Sequence, residues 1–107
     1  MKRAVRSLKN ILTKKDIYDA VKNIPSGKVS TYGAIARICG RPNCSRYVGR
    51  ILHINPTPIA VPCHRVVFSD GSLTKNFGFG TQGTQRKLLE SESVTFTGEK
   101  VNKHHFM

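Results

Sequence analysis

The chain has 107 residues, of which 18 are Lys or Arg and 6 are Asp or Glu, so its formal net charge at pH 7 is +12. This length predicts one domain, residues 1–107, with a modest core, and no apolar run approaches the ~18 residues that a membrane-spanning helix needs. Three cysteines, an odd number, argue against a secreted disulfide framework. Without a signal-peptide pattern at the basic N-terminus, we expect an intracellular protein of the cytoplasm, nucleoid or nucleus.

The first predicted elements are a basic arm over residues 1–13 and a helix over residues 14–24. Thr13 is suited to cap this helix, and Asp16 lies in its first turn, where the helix dipole favours an acid. One apolar stripe at helical spacing contains Ile17, Ala20, Val21 and Ile24. Pro25-Ser26-Gly27 is expected to end the helix.

The next two helices form a predicted helix-turn-helix. Ser30 or Thr31 caps a short helix that runs through Ile38, with Ile35 and Ile38 facing inward, before a turn at residues 40–43. A third helix covers residues 44–53 and has an apolar side of Val48, Ile51 and Leu52. Its Arg46 and Arg50 share one face, which is typical of a helix that lies on DNA, although such units also occur as plain structure.

The second half of the chain is predicted to contain little regular structure. Asn55-Pro56-Thr57-Pro58 is irregular, residues 59–67 are apolar and mostly extended, and residues 69–72 turn a small hairpin between residues 66–68 and Leu73. A glycine-rich loop covers residues 74–84. A last helix over residues 85–91 buries Leu88 and Leu89, a short strand covers residues 94–96, and the tail over residues 97–107 frays at residues 103–105. The predicted fold class is a mainly α, small winged-helix-like domain with a helix-turn-helix and a short β hairpin.

The charge distribution favours a polyanionic partner. No acid occurs between Asp19 and Asp70, a stretch with seven basic residues. Such a stretch favours nucleic acid, with a plain solvated surface as the alternative. A membrane surface would need a basic amphipathic helix with bulky apolar residues opposite, and the sequence has none.

Pro62-Cys63-His64-Arg65 places a thiol directly beside an imidazole. A nucleophilic cysteine needs its proton removed, and a neighbouring His or positive charge lowers a thiol pKa. Adjacent residues of an extended segment point to opposite faces, so a water, or a bend set by Pro62, would connect the two side chains. Because free cysteines are often simply buried, the pair alone does not separate a nucleophile from core packing.

From about residue 14 to residue 96, a series of motifs resembles the C-terminal, active-site domain of the O6-alkylguanine-DNA alkyltransferases. In chain order the motifs are Ile24-Pro25-x-Gly27-Lys28-Val29-x-Thr31-Tyr32-Gly33-x-Ile35-Ala36, Arg46-x-Val48-Gly49, Asn55-Pro56-x-Pro58-Ile59-x-Val61-Pro62-Cys63-His64-Arg65-Val66-Val67, Asp70-Gly71-x-Leu73 and Leu88-Leu89-x-x-Glu92. The resemblance implies DNA repair by a single-turnover methyltransferase, which moves an alkyl group irreversibly from guanine O6 in duplex DNA to a protein sulfur. No cofactor and no metal are implied.

The resemblance also implies roles for individual residues. Cys63 would be the nucleophile and His64 its general base through a water, with Glu92 accepting from the other imidazole nitrogen and Asn55 bracing the segment. The alkylated base would be flipped out of the duplex. The remaining predicted site residues are Tyr32, Arg46, Gly49, Arg50 and Arg65 for DNA binding and base flipping, and Val66, Phe77, Gly78 and Phe79 for the guanine pocket.

The same resemblance implies a protein that binds double-stranded DNA, with the helix over residues 44–53 in the minor groove and Arg46 in the gap left by the flipped base. We expect a monomer in solution. Simpler interpretations remain open: Arg46 as a phosphate contact, Tyr32 as core packing, Asn55 as a turn residue and Glu92 as an exposed acid. Tyr47 stands where the family favours a small residue. The longer glycine-rich loop suggests a looser pocket for larger adducts.

Three other classes of function compete with alkyl transfer. The alkyltransferase-like proteins are short relatives that bind alkylated guanine but carry another residue at the cysteine position, so a lesion sensor that recruits excision repair is the second choice. A plain winged-helix DNA-binding protein would leave Cys63 structural. A metal site would need Cys39, Cys44, Cys63 and His64 together, and the first two lack the tight Cys-x-x-Cys spacing.

Overall fold

The computed structural model describes residues 12–57, 59–74 and 82–107. Helix α1 covers Lys14–Lys22 and begins at Thr13, whose hydroxyl accepts from the Asp16 N–H at 3.2 Å while the Asp16 carboxylate accepts from the Thr13 N–H at 3.1 Å. This reciprocal capping box satisfies two backbone donors at the predicted start. The helix ends two residues earlier than predicted, and the predicted apolar stripe is buried.

The predicted helix-turn-helix is present. Helix α2 covers Tyr32–Ile38 and is capped by Thr31, and helix α3 covers Ser45–His53. The predicted apolar side of α3 is buried against α2. The prediction that Ile38 faces inward is wrong, because its side chain is 66% exposed. Cys39 packs against the core instead. Around the helix axis, Cys39 lies closer than Ile38 to the buried pair Ile35 and Ala36.

The segment over residues 59–67 is less extended than predicted. Ile59 is 55% exposed with a φ of 79°, and a 3₁₀ helix covers Cys63–Arg65. Strand β2, Val66–Val67, pairs in parallel with strand β1, Ser30–Thr31. Of the predicted hairpin, the Phe68 N–H donates to the Ser72 carbonyl at 3.0 Å across the turn, but Leu73 is not part of a strand. The turn itself is present, and the Gly71 N–H donates to the Phe68 carbonyl at 2.8 Å.

Helix α4 covers Gln82–Ser91 and so begins three residues before the predicted start. Leu89 is fully buried, whereas Leu88 is half-buried against the core. The short hairpin of this domain follows α4, with strand β3, Phe96–Thr97, antiparallel to strand β4, Lys100–Val101.

The C-terminal tail is docked and not frayed. Lys103–His105 forms a 3₁₀ helix, and His105 is buried with its Nδ1 3.0 Å from the Gly27 carbonyl oxygen and its Nε2 accepting from the Thr95 N–H at 2.9 Å. The Val29 N–H donates to the His105 carbonyl, and the Val29 carbonyl accepts from the Met107 N–H. These long-range bonds are invisible to local sequence patterns.

The mainly α fold class is confirmed. Strand β2 lies between two core clusters, because Val66 packs into the cluster of α1, α2 and α3 while Val67 packs into the cluster of α4 and the C-terminal hairpin. In the part of the chain that the structure describes, no helix is long and apolar enough to cross a membrane.

Candidate active site

Cys63 lies at the start of the 3₁₀ helix that joins the two core clusters. Pro62 has φ −76° and ψ 66°, and the Cys63 N–H donates to the Val61 carbonyl at 2.7 Å, which is the geometry of an inverse γ-turn. Cys63 is 6% exposed and lines a cavity. Burial raises the pKa of the Cys63 thiol, and a hydrogen bond from Asn55 offsets part of this effect. The resting sulfur is therefore a neutral thiol at pH 7.

Asn55 ties the end of α3 to the cysteine segment. Its Nδ2 donates to the Val61 carbonyl at 2.9 Å, and its Oδ1 accepts from the Thr57 N–H at 3.0 Å. The side chain thus bonds both sides of the turn that leads to Cys63. It uses its donor and acceptor in opposite directions, which fixes the amide orientation.

His64 and Arg65 converge on one carboxylate, that of Glu92. Arg65 donates through Nε to Oε1 at 2.9 Å and through Nη2 to Oε2 at 2.5 Å, and its Nη1 donates to the Ile24 carbonyl at 2.8 Å. His64 Nε2 lies 3.1 Å from Oε2. The N–H direction is out of line with that oxygen, so the contact is not a linear hydrogen bond, and it becomes an ion pair only when His64 is protonated.

The protonation states of this group follow from burial and charge. Burial lowers the pKa of His64 below 6.5, against an opposing effect of Glu92, so the imidazole is neutral at pH 7. Burial would raise the pKa of Glu92, but its bonds with Arg65 and His64 outweigh it and lower that pKa below 4.5. A neutral imidazole whose Nε2 faces a carboxylate keeps Nδ1 as its basic nitrogen.

Gln85 fixes the backbone behind this group, and sequence reasoning missed it. The side chain is fully buried on α4, and its Nε2 donates to the carbonyls of His64 and Val66 at 3.1 Å each. A polar residue in a helix that otherwise buries leucine was the available signal. Val66 itself is fully buried in the core and is not among the residues that line the cavity.

The cavity in front of Cys63 has a volume of about 1000 Å³. Tyr32 and Phe68 form part of its wall, with ring centroids 5.3 Å apart and planes at 49°. Burial, more than the nearby Cys63, raises the pKa of Tyr32 to about 12, against a hydrogen bond from Thr74, so its hydroxyl remains a proton donor. The sequence did not single out Phe68 or Thr74 as wall residues.

Helix α3 supplies the basic edge of the cavity. Arg46 and Arg50 are exposed there, and Gly49 lies close to Tyr32, since a Cβ built on it would be 3.8 Å from the ring. Arg65 is placed differently, because its guanidinium is bound by Glu92 and its side chain is only 17% exposed. The structure therefore brings four of the five predicted DNA-binding residues to the cavity and directs Arg65 into the protein.

The remaining predicted site residues are separate from this group. Phe77, Gly78 and Phe79, predicted to wall the guanine pocket, lie outside the described residues. Tyr18, which the sequence did not single out, donates from its hydroxyl to the Ile51 carbonyl at 3.4 Å, and burial followed by the nearby Cys63 raises its pKa. Among the described residues, no cluster of three or more His, Cys, Asp or Glu side chains is placed to hold a metal ion.

These features define a helix-turn-helix domain that holds a buried cysteine beside a His–Glu–Arg group. The family model of the DNA-binding domain of 6-O-methylguanine DNA methyltransferase matches residues 13–94. The chain belongs to this family.

Relatives of two kinds match the chain. Alkyltransferase-like protein 1 of Schizosaccharomyces pombe is 43% identical over 97 residues, which cover 85% of this chain and 89% of that protein. The methylated-DNA–protein-cysteine methyltransferase of Methanosarcina acetivorans is 48% identical over 60 residues, 56% of this chain and 38% of that protein. The rat protein of the same name is 34% identical over 91 residues, 85% of this chain and 43% of that protein. The chain thus spans less than half the length of these two methyltransferases.

Solved structures of both kinds share the fold. S. pombe Atl1 in complex with damaged DNA containing O6-carboxymethylguanine aligns with a TM-score of 0.72 and 38% identity, over 88% of this chain and 93% of that one. Mycobacterium tuberculosis OGT in complex with DNA aligns with a TM-score of 0.69 and 39% identity, over 74% of this chain and 48% of that one.

Proposed function

We propose that this protein repairs DNA by accepting an alkyl group from O6 of a flipped-out guanine onto the sulfur of Cys63. The observation that carries the proposal is the placement of a buried thiol at a cavity of about 1000 Å³, which is large enough to admit a base, next to a neutral histidine that a carboxylate can stabilise once it is charged. Membership of the methyltransferase family supports it independently.

The chemistry follows from the protonation states. The thiol of Cys63 gives its proton, through a water, to Nδ1 of His64, and Glu92 stabilises the imidazolium that forms. The thiolate attacks the alkyl carbon, so a sulfur–carbon bond forms as the carbon–O6 bond breaks and its electron pair stays on guanine. Tyr32, still protonated, can donate a hydrogen bond to the departing guanine, and the guanine anion is neutralised by the proton that His64 took from the thiol, returned through water. The thioether is not hydrolysed, so each molecule acts once.

DNA binding is proposed through α3. Arg46 and Arg50 are exposed on one face of this helix, beside the cavity that would take the base. Ser45 and Gly49 are small, which lets the helix approach a shallow groove closely, and we place α3 in the minor groove with Arg46 in the gap left by the flipped nucleotide. Gly49 and Tyr32 then form the passage to Cys63. We also propose that residues 1–107 act as one monomeric unit, with 1–13 as a basic arm.

A non-catalytic lesion sensor is the second candidate. It is favoured by the high pKa of the Cys63 thiol and by the match to alkyltransferase-like protein 1, which extends over 89% of that protein. The two candidates share the cavity and α3, so only the fate of the sulfur separates them.

The test is mass spectrometry of the intact protein and its peptides after mixing with duplex DNA that contains one O6-methylguanine. We expect one added methyl on the Cys63 peptide, absent with unmodified DNA and absent in Cys63→Ser. Cys44→Ser, at a half-buried cysteine that packs against the core, is the matched control and should still gain the methyl. Tight lesion binding without a mass change would overturn transfer in favour of the sensor.

A further inference from the structure

A second arginine on α3 lies over an aromatic ring. The Arg50 guanidinium carbon lies 5.9 Å from the centre of the Tyr47 ring, and both residues line the cavity that contains Cys63. This distance is within the ~6 Å range of a cation–π attraction, which limits the conformations of the guanidinium before any ligand arrives. Arg50 is thus partly oriented while its side chain remains exposed.

The other arginine–aromatic pair of the described residues shows why Arg50 is different. Arg86 lies over the Phe96 ring at 4.2 Å, but its Nε bonds the Glu90 carboxylate at 3.1 Å and its Nη1 bonds the Gly98 carbonyl at 2.9 Å. Over residues 12–57, 59–74 and 82–107, by contrast, no carboxylate lies within salt-bridge distance of Arg50. Its exposed N–H donors are therefore not engaged by a carboxylate of the described residues.

We infer that Arg50, oriented by Tyr47, is a specificity-determining residue that favours an A·T pair near the flipped nucleotide. This inference rests on the proposed function, in which α3 lies in the minor groove and Arg46 marks the lesion. Arg50 follows Arg46 by four residues, or ~6 Å along the helix at ~1.5 Å per residue. With a base-pair rise of ~3.4 Å, Arg50 reaches roughly two base pairs from the lesion where α3 follows the groove.

The chemistry of the minor groove sets the preference. An A·T pair presents only acceptors there, adenine N3 and thymine O2, whereas a G·C pair adds the 2-amino donor of guanine. A guanidinium has donors only, so the guanine amino group opposes it by both charge and bulk. A·T-rich segments also narrow the groove and strengthen its negative potential, which attracts arginine.

The experiment measures Kd in a Cys63→Ser background, which cannot remove the methyl group, for duplexes with one O6-methylguanine in which only the pairs two steps from the lesion, on either side, are changed. On one side we expect the A·T duplex to bind about five- to tenfold more tightly than the G·C duplex. An inosine·C pair, which lacks the 2-amino group, should bind like A·T. Arg50→Lys, which keeps the charge but cannot stack or fork, should bring the ratio close to one.

Further variants test whether the A·T preference depends on the contact between Arg50 and Tyr47. Tyr47→Phe keeps the ring and should keep the ratio, whereas Tyr47→Ala should reduce it, and Arg86→Lys is the control that should leave it unchanged. No preference in Cys63→Ser with Arg50 intact, or an unchanged ratio after Arg50→Lys, would overturn the inference. Failure of the wild-type Cys63 peptide to gain a methyl from the same duplexes would instead overturn the proposed function, so the two failures are distinct.

Discussion

Replacing Glu92 by Gln tests whether one carboxylate supports both the fold and the chemistry. Glu92 accepts two hydrogen bonds from Arg65 and contacts His64, and the side chains of Glu92 and Arg65 are 16% and 17% exposed. Removing one partner of a fully buried pair costs about 3–5 kcal/mol. The partial exposure here reduces that loss to roughly 2–4 kcal/mol, which corresponds to a fall in Tm of roughly 10–25 °C in a domain of this size.

The assay is urea or thermal unfolding of the wild-type protein and Glu92→Gln across a pH series. A carboxyl whose pKa is lowered in the folded state contributes stability that is present above its unfolded pKa, near 4.5, and is lost as the pH falls through the folded pKa. We therefore expect the difference between the two proteins to be full at pH 7 and to shrink below pH 4.5. The double variant Glu92→Gln, Arg65→Met should lose less free energy of unfolding than the sum of the two single variants, because neither charge is then left without its partner.

Glu90→Gln is the matched control, since Glu90 pairs with Arg86 on the surface and its side chain is 50% exposed. We expect it to cost less than ~0.5 kcal/mol. A loss in Glu92→Gln no larger than that of the control, or one that does not depend on pH, would refute the assignment of Glu92 as a structural ion-pair partner.

Three further predictions concern the turn, the helix behind the site and the base. Gly71→Ala should lower the free energy of unfolding by roughly 2–3 kcal/mol, because Gly71 has φ +90° and a Cβ would lie 2.8 Å from the Val101 carbonyl oxygen. Gly40→Ala is the control: Gly40 has φ +78° but open space around it, so the loss should be about 1 kcal/mol. Gln85→Met should cost roughly 1–3 kcal/mol by leaving two carbonyls without their donor, and the exposed change Lys87→Met should be neutral. The rate of alkyl transfer, measured by stopping the reaction at set times, should fall below pH 6.5 as His64 becomes protonated. In Glu92→Gln the rate should be lower, and its fall should occur at a more acidic pH, because Glu92 raises the His64 pKa.

The helix-turn-helix could be predicted because its signals are local. Capping residues such as Thr13 and Thr31, and apolar residues at helical spacing, determine where a helix begins and which face is buried. The error at Ile38 shows the limit of this reasoning. Periodicity gives the set of faces that could be buried, but the position of the neighbouring helix selects among them.

The pairing of the short strands could not be predicted in the same way. Residues 66–67 and 30–31 are separated by more than 30 positions, and nothing in either dipeptide identifies a parallel partner. The C-terminal tail is similar, because His105 is polar by sequence and becomes buried only through its bonds to Gly27 and Thr95. Long-range hydrogen bonds override the local tendency of Lys103-His104-His105 to fray.

The arginines of the acid-free stretch divide into two groups once their exposure is known. Arg46 and Arg50 are exposed on α3, whereas Arg65 is held by Glu92 and by the last carbonyl before Pro25. The positive charge beside the cysteine therefore stabilises a carboxylate inside the protein, and that carboxylate contacts the histidine. A charge count cannot make this distinction. The buried imidazole remains neutral at rest and can accept a proton, because burial lowers the His64 pKa more than Glu92 raises it, and the positive charge of Arg65 adds a smaller effect in the same direction as burial. A stronger negative field at Glu92 would favour the charged histidine, which cannot accept a proton.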